Sequence, residues 1–269
     1  MNSLKKLSFL NEYLIFQLHN YYMAKVLVIG EKCIDIFVYG TSSRKSPEGA
    51  GPVFIPVQQV TGAGMAGNTA RNLQSMGLDV DIVSNTSDII KTRYVNEKTN
   101  ELYLRVDEND AVDKINLNIL SNISQYDAVV ISDYCKGFLS ENDILQISLM
   151  HPLTIVDTKK HLGEWCRNIK FIKINRFEFE HNKDIIEENE WLLDKLIITL
   201  DGAGALYKGE LVKTEKVENA DVSGAGDTFV AGFITKYLST QDAMQSISWA
   251  NYCAGVVVRE KGVSVFKAR

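Results

Sequence analysis

Short runs of apolar, often β-branched residues recur along the chain, each bounded by polar or turn-forming residues. Because these runs are almost continuously apolar, they predict strands that are covered on both faces of a sheet. The predicted strands are KVLVIG (25–30), DVDIVSN (79–85), DAVVISD (127–133), LTIVDT (153–158), KFIKIN (170–175) and KLIITL (195–200).

Stretches with the spacing of amphipathic helices lie between these strands and after the last of them. The alternation of strand and helix predicts an α/β fold with a doubly wound, mostly parallel sheet and helices on both faces. The predicted helices cover residues 66–76, 111–124, 140–149, 177–193, 226–238 and 241–259.

Two segments break this rhythm. Residues 33–60 and 91–106 alternate in polarity and are rich in turn-forming residues, which is typical of antiparallel strands. Both closely follow a predicted core strand, so we expect a small β-sheet that projects from the main domain as a lid over the strand ends. We expect residues 23–269 to form one domain and residues 1–22 to be an N-terminal extension outside its core.

Composition and net charge limit the kinds of binding partner that the sequence predicts for this protein. The 269 residues are 45% hydrophobic and 23% charged, which is ordinary for a globular protein. A net charge of -5 gives no electrostatic reason to expect nucleic acid or an anionic membrane as partner. The four cysteines are widely separated, which favours reduced thiols in a cytoplasmic protein. No apolar run approaches the roughly 20 residues needed to span a bilayer.

Polar side chains stand at the carboxyl ends of several predicted strands, where ligands bind in open α/β sheets. Asp133, Asp157, Asn175 and Thr199 occupy such positions. Each could equally well cap a helix or a turn, so none of them alone decides between a binding site and a local structural role.

The segment DVSGAGDTFVAGF (221–233) carries stronger information. Residues 224–226 precede an apolar helix, so unpaired backbone N–H groups and the positive end of the helix dipole converge there, as a phosphate site requires. Asp227 in the first turn could accept a hydroxyl proton beside a transferring phosphoryl group. In the structural alternative, Asp221 or Ser223 caps the helix and Asp227 only complements its dipole.

A second glycine-rich segment, GAGMAGN (62–68), matches the G-x-G-x-x-G pattern of dinucleotide-binding folds. It does not follow the first predicted strand, which makes a nicotinamide-dependent oxidoreductase the weaker interpretation. We expect these glycines to allow close approach of the backbone to a small polar substrate, with Asn68 offering amide contacts. The pattern G-x-x-x-x-G-K-S/T does not occur, which excludes an ordinary P-loop.

Together these segments resemble the ribokinase-like (PfkB) carbohydrate kinases. DVSGAGDTFVAGF resembles the family signature D-x-S/T-G-A-G-D-x-F, and GAGMAGNTARNLQSMG is similar to the glycine-rich first signature. NRFE, TLDGAGAL and ANYCAGVVVREKGVS follow in the family's order, so the resemblance covers residues 24–267. It implies a three-layer α/β/α fold with a β-sheet lid, phosphoryl transfer from ATP with Mg²⁺ to a sugar hydroxyl, and a homodimer formed through the lid.

The resemblance also implies roles at the matching positions. Asp227 would be the base, and the amides of Gly224, Ala225 and Gly226 would stabilise the transferring phosphoryl group. Asn175 and Glu178 would organise Mg²⁺ through water. The implied sugar contacts are Asp35, Gly64, Asn68 and Asp133, and the implied nucleotide contacts are Thr199, Gly202, Gly204, Ser223, Asn251 and Ser264.

Further segments narrow the resemblance to one branch of the family. YGTSSRKSPEGAGPV, KTRYV, LRVDEND, ISDYCKGFLS and DTKK are similar to elements of kinases that phosphorylate the anomeric hydroxyl of D-glycero-β-D-manno-heptose 7-phosphate to the 1,7-bisphosphate. A 7-phosphate needs local positive charge. The candidate cations are Arg44, Lys91, Arg93, Arg105, Lys136 and Lys159, of which the motifs favour Arg105 and Lys136.

Some positions depart from the family pattern. Met65 stands where the family usually has a glycine, Glu31 replaces a common Asp, and residues 49–51 loosen a lid segment that is normally rich in proline. These departures leave other acceptors open, such as ribose, fructose or another sugar phosphate. A non-catalytic sugar- or nucleotide-binding homologue is a further alternative, although such a protein would have no need of the predicted base.

Overall fold

The computed structural model describes residues 23–217 and 221–267 of the chain. The predicted extension, residues 1–22, lies outside the described residues. The strands are β1 (Lys25–Gly30), β2 (Lys32–Lys45), β3 (Pro52–Met65), β4 (Asp79–Val83), β5 (Ile89–Asn96), β6 (Leu102–Glu108), β7 (Ala128–Asp133), β8 (Thr154–Thr158), β9 (Phe171–Asn175), β10 (Leu196–Thr199), β11 (Ala205–Tyr207) and β12 (Glu210–Val212). The helices are α1 (Ala66–Ser75), α2 (Glu141–Met150), α3 (Arg176–His181), α4 (Lys183–Glu188), α5 (Ala225–Thr240) and α6 (Ala243–Val257).

The main sheet has eight strands in the order β12-β11-β10-β9-β8-β7-β1-β4. Every pair from β10 to β4 in this order is parallel, and β11 and β12 add an antiparallel edge. The six strands predicted from apolar runs are therefore confirmed as the parallel part of this sheet. β4 is less covered than expected because it forms the other edge, where Ile82 is 42% exposed.

Helices cover the main sheet on both faces because consecutive strand residues point to opposite sides. Leu27 and Ile29 of β1 belong to the apolar cluster that contains Ile144 of α2. Val26 and Val28 belong to the second cluster, which includes Leu73 of α1, Phe233 of α5 and Ile247 of α6. The result is the predicted α/β/α arrangement of three layers. No helix within residues 23–217 and 221–267 is long and apolar enough to cross a membrane.

Two predicted helices were wrong in their extent. Residues 111–124 hold only short 3-10 turns at Leu117–Leu120 and Ile123–Gln125, because few of their side chains are buried and Asn116 caps the first turn. The region 177–193 divides into α3, α4 and a 3-10 turn. Asn182 ends α3, since its side chain donates to the Glu178 carbonyl (2.7 Å) and accepts from the Leu162 N–H (2.7 Å).

The two segments that break the strand-helix rhythm form a second sheet, in the order β3-β2-β5-β6, which confirms the predicted lid sheet. β2 pairs with β3 in antiparallel and with β5 in parallel orientation, and β5 and β6 are antiparallel. One face of this lid carries Asp35 and Phe37 of β2 beside Lys91 and Arg93 of β5. β3 runs directly into α1, so lid and main domain share continuous chain.

A buried carboxylate stabilises the junction between the main sheet and the lid. Glu31, between β1 and β2, is fully buried. Its two oxygens accept hydrogen bonds from the backbone N–H groups of Tyr134 (2.8 Å), Lys136 (2.9 Å) and Phe138 (3.2 Å). The loop after β7 is thereby held to the start of the lid, and the bonds satisfy a buried group that would otherwise be costly.

Gly30 precedes this carboxylate and has no room for a side chain. Its φ is +155°, and a Cβ atom there would lie 1.9 Å from the main-chain oxygen of Ser132 on β7. We expect Gly30→Ala to lower the free energy of unfolding by about 3 kcal/mol, because neither main chain can move away without breaking the β1–β7 pairing. Denaturant unfolding followed by circular dichroism measures the change.

The matched control is Gly49→Ala, at a position where a Cβ atom would have no neighbour within 4 Å. Its free energy of unfolding should stay close to that of the unmodified protein. Equal stability of the two variants would contradict the proposed constraint at Gly30.

Candidate active site

Two cavities meet at Asp227, beyond the carboxyl ends of the parallel strands. The larger encloses about 510 Å³ and the smaller about 160 Å³. Both are lined by Tyr134, Gly224 and Asp227, so these residues form the boundary between them. The main sheet and α5 contribute to the larger cavity, and the lid closes the smaller one.

The start of α5 brings Asp227 to this boundary. Gly224 has φ +76°, a left-handed conformation that favours glycine, and a Cβ atom there would lie 2.6 Å from the Asn68 side-chain nitrogen. Ala225 and Gly226 line the larger cavity in the first turn. The N–H of Ala225 donates to the Val222 carbonyl (3.2 Å), so an anion bound at this turn would compete with that bond.

The Asp227 carboxylate is 4% exposed and is held by donors from two elements. Its Oδ2 accepts from Asn68 of α1 (2.9 Å), and its Oδ1 accepts from the Tyr134 hydroxyl (2.8 Å). Burial raises the pKa of Asp227 to about 6, while the hydrogen bonds from Asn68 and Tyr134 act in the opposite direction. Asp227 is therefore an aspartate that changes protonation close to neutral pH.

Tyr134 was not predicted as a site residue. Burial raises its pKa well above the usual 10, so its hydroxyl stays protonated and donates to Asp227. The segment ISDYCKGFLS was singled out in the sequence, but its Lys136 and Asp133 drew attention as charged groups. A tyrosine directly after a strand-end acid was the available signal.

A buried ion pair lies close to the turn formed by residues 224–226, called the glycine turn below. Lys173 of β9 and Asp157 of β8 are 5% and 8% exposed, and the ammonium lies 3.0 Å from the nearer carboxylate oxygen. A Cβ atom at Gly226 would lie 3.0 Å from the same ammonium. Lys173 was also missed, although a lysine within the apolar run KFIKIN is an unusual charge for a buried strand.

Asn175 and Glu178 form a reciprocal cap at the start of α3. The Asn175 side chain accepts from the Glu178 N–H (2.8 Å), and the Glu178 carboxylate accepts from the Asn175 N–H (2.7 Å). Glu178 also pairs with Lys159 (2.9 Å). Asn175 and Lys159 line the larger cavity, whereas Glu178 lies behind them.

Most of the predicted nucleotide contacts lie around the larger cavity. Thr199, Gly202, Gly204 and Asn251 line it, and the Asn251 side chain donates to the Val212 carbonyl (2.8 Å). The structure departs from the prediction at two serines. Ser223 lines the smaller cavity, and Ser264 lines neither cavity because its hydroxyl donates to the Val257 carbonyl (3.2 Å).

The smaller cavity holds a mixture of charges from the lid. Asp35 is 4% exposed and pairs with Arg93, and both line the cavity. Gly64 leaves room for the Asp35 carboxylate, since a Cβ atom at this position would lie 2.0 Å from an Asp35 oxygen. Lys91 also lines the cavity and is 5% exposed, and burial lowers its pKa.

Several predicted sugar or phosphate contacts do not line either cavity, namely Arg44, Gly64, Asn68, Arg105, Asp133 and Lys136. Three of them are engaged by other groups. The Asp133 carboxylate accepts from the Thr158 hydroxyl (2.6 Å) and from Lys160 (2.9 Å). Arg105 makes a two-pronged pair with Asp107 on β6, at 2.6 Å for each bond, and Lys136 pairs with Asp110. These ion pairs could not be read from the motifs, which show the charges but not their partners.

Comparisons with known proteins agree with this architecture. Bifunctional protein HldE of Hydrogenovibrio crunogenus is 27% identical over 92% of this chain, and that of Helicobacter pylori strain G27 is 29% identical over 89%. The chain spans only 62% and 64% of these relatives' lengths. A ribokinase from Thermotoga maritima has a TM-score of 0.66 at 17% identity, covering 90% of this chain and 95% of its own, which shows a shared fold.

A nucleoside kinase from Methanocaldococcus jannaschii, described as an archaeal member of the ribokinase family, has the same TM-score and identity, and the match covers 91% of this chain and 95% of that one. The family model of the pfkB family carbohydrate kinases matches residues 85–268, which is more than half of the chain. The matched residues include the segment DVSGAGDTFVAGF (221–233), and the match confirms the predicted family. The chain therefore belongs to the pfkB family of carbohydrate kinases.

Proposed function

We propose that this protein transfers the terminal phosphoryl group of ATP to the anomeric hydroxyl of D-glycero-β-D-manno-heptose 7-phosphate. The observation that carries the proposal is the position of Asp227, a buried carboxylate at the boundary of a large and a small cavity. Phosphoryl transfer needs such an arrangement, with the donor on one side of the base and the acceptor hydroxyl on the other.

The larger cavity would take ATP. Its volume of about 510 Å³ is within the usual range for small-molecule and cofactor sites, and its lining includes the glycine turn of α5. The phosphate end would lie at Gly226, at the positive end of the α5 dipole, with the Lys173 ammonium and its partner Asp157 close to the same turn. Thr199, Gly202, Gly204 and Asn251 would contact the rest of the nucleotide.

Mg²⁺ fits the residues at the edge of this cavity. Within the described residues no cluster of three or more acidic, histidine or cysteine side chains is placed to hold a metal. An ion that keeps several waters and shares the nucleotide phosphates needs fewer protein ligands. Asn175 and, through water, Glu178 would hold it there, and the bound ion would neutralise charge on the phosphates.

The smaller cavity would take the sugar phosphate. The acids next to Lys91 on the neighbouring strands are occupied by other cations, since Asp35 pairs with Arg93 and Asp107 pairs with Arg105. The buried Lys91 ammonium is therefore the group best able to meet an anionic part of the acceptor. The segments YGTSSRKSPEGAGPV, LRVDEND and ISDYCKGFLS, which resemble those of heptose 7-phosphate kinases, support an acceptor of this class.

Asp227 would act as the base. With a pKa of about 6, it is ionised at pH 7.5 and can take the proton of the attacking hydroxyl. Asn68 and Tyr134 hold both of its oxygens in place beside the boundary between the cavities. In-line attack on the phosphoryl group at the glycine turn completes the transfer.

We also propose that the protein forms a homodimer through the lid. Exposed apolar side chains concentrate on the two edge strands of that sheet, with Ile55 and Val57 on β3 and Leu102, Leu104 and Val106 on β6. Exposed apolar side chains on these two edge strands favour a protein partner, and open strand edges can pair across an interface.

The activity is tested by a coupled ADP-release assay with Mg²⁺ and ATP over heptose 7-phosphate, ribose, fructose and other sugar phosphates. We expect heptose 7-phosphate to give the highest kcat/KM. Asp227→Asn should retain the fold but lower kcat by at least about 100-fold, because amides cannot accept the hydroxyl proton. Preference for an unphosphorylated sugar would overturn the proposed acceptor, and near-normal turnover by Asp227→Asn would overturn the assigned base.

Lys91→Met tests the acceptor's charge. The substitution keeps the length of the side chain and removes its ammonium, so KM for heptose 7-phosphate should rise about 10- to 100-fold with kcat less affected. Lys98→Met, at an exposed lid turn, is the matched control and should leave KM unchanged. An unchanged KM in Lys91→Met would show that this lysine does not bind the phosphate group of the acceptor.

Leu104→Lys tests the dimer. Leu104 is 55% exposed on an edge strand of the lid, and a charge there should convert the dimer to a monomer in size-exclusion chromatography with light scattering. Leu149→Lys makes the same change at a 60% exposed position on α2 and should leave the dimer intact. A monomeric unmodified protein would refute the proposed assembly.

A further inference from the structure

We infer that Tyr134 is a positioning residue that fixes the orientation and the proton affinity of the Asp227 carboxylate. The inference rests on the proposed function, in which Asp227 is the base. It adds a residue from the loop after β7, far from the glycine-rich segments in sequence, to the groups that control the transfer.

The contact is a partly buried hydrogen bond from a neutral phenol to the buried Asp227 carboxylate. The Tyr134 hydroxyl donates to Oδ1 of Asp227 at 2.8 Å, and the Asn68 amide donates to Oδ2 at 2.9 Å. The two donors come from different elements, so together they fix the plane of the carboxylate. Thr69 of α1 lies at 3.4 Å from Oδ1 and is the weaker donor to that oxygen.

Cations hold the Tyr134 ring from two directions. The ring lines both cavities, and the Lys159 and Lys91 ammonium groups lie 5.1 Å and 5.7 Å from its centre. Lys159 belongs to the lining of the larger cavity and Lys91 to that of the smaller one. Contacts of this kind favour a fixed ring and keep its hydroxyl directed at Asp227.

The main chain of Tyr134 is fixed independently of any ligand. Its N–H donates to the buried Glu31 carboxylate at 2.8 Å, and the N–H groups of Lys136 and Phe138 donate to the same carboxylate. The loop therefore keeps its place when the cavities fill. The hydroxyl is pre-organised toward Asp227 and requires no rearrangement during the reaction.

The direction of the effect follows from the charges around Asp227. Burial raises its pKa, Asp157 raises it further, and Lys173 and the Asn68 and Tyr134 donors lower it. Loss of the tyrosine donor removes stabilisation from the ionised form only, so the pKa must rise. The titratable or charged groups that face Asp227 or line the cavities beside it are Tyr134, Asp157, Lys159, Lys173, Asp201, Glu215, Lys216, Cys33, Asp35, Lys91 and Arg93.

The test is the pH profile of kcat/KM for Tyr134→Phe, which removes the hydroxyl and keeps the ring. A base must be ionised, so activity falls as pH drops through its pKa, and the acid limb should move upward by about one pH unit. The variant's loss should therefore be about fivefold greater at pH 6 than at pH 8.5. A profile lowered equally at every pH would assign Tyr134 a structural role and overturn the inference.

Tyr126→Phe is the matched control. It removes another tyrosine–aspartate hydrogen bond, of 2.7 Å to Asp81, at an exposed position outside both cavities. Its acid limb should coincide with that of the unmodified protein. A shift as large as that of Tyr134→Phe would show that the effect is not specific to Asp227.

A second measurement needs neither turnover nor a Tyr134 variant. In protein labelled with ¹³C at tyrosine Cζ and aspartate Cγ, the Tyr134 carbon should titrate with the same midpoint as the Asp227 carboxyl. Both transitions should vanish together in Asp227→Asn. Absence of any tyrosine carbon that follows the aspartate would overturn the inference even if no sugar proves to be a substrate, whereas a failed substrate panel alone refutes only the proposed function.

Discussion

A buried carboxylate needs hydrogen-bond donors from the protein. The bonds to two such carboxylates, those of Glu31 and Asp227, connect the main parts of this molecule. Glu31 gathers three main-chain N–H groups and joins the first strand, the lid and the loop after β7. Asp227 gathers an amide from α1 and a hydroxyl from that same loop. Tyr134 takes part in both sets of bonds, through its N–H and its hydroxyl, so a single residue connects the Glu31 carboxylate with the Asp227 carboxylate.

Much of the fold could be predicted from the sequence because its strands are covered on both faces. A buried parallel strand must be apolar almost throughout, and KVLVIG and its counterparts have no other ready interpretation. The lid sheet could also be predicted, because its segments alternate between apolar and polar residues as antiparallel strands do. Residues 111–124 misled because scattered apolar side chains fit a helical spacing there, while only Leu120 and Ile123 are buried. Spacing alone does not reveal whether a surface exists for a helix to pack on.

The site was predictable where a backbone conformation imposes the residue type. Gly224 and Gly64 are needed because a Cβ atom would strike Asn68 and Asp35, respectively, and such glycines stand out in a sequence. The partner of a charged side chain depends on which residues the fold brings near it, so ion pairs leave no comparable pattern in the sequence. The motifs favoured Arg105 and Lys136 among the candidate cations, yet each is paired with an acid outside the cavities. Lys91, a candidate that the motifs did not favour, lines the smaller cavity and makes no ion pair with any other described residue.

The uninterrupted passage from β3 into α1 has a mechanical consequence. The strand leaves the lid at Met65, whose φ of +56° marks a sharp change of direction, and the helix begins at the next residue. Asn68, which holds Asp227, lies within the first turn of that helix. Because no linker separates the strand from the helix, a change in the orientation of β3 relative to α1 would be transmitted to Asn68 and, through its hydrogen bond, to the Asp227 carboxylate.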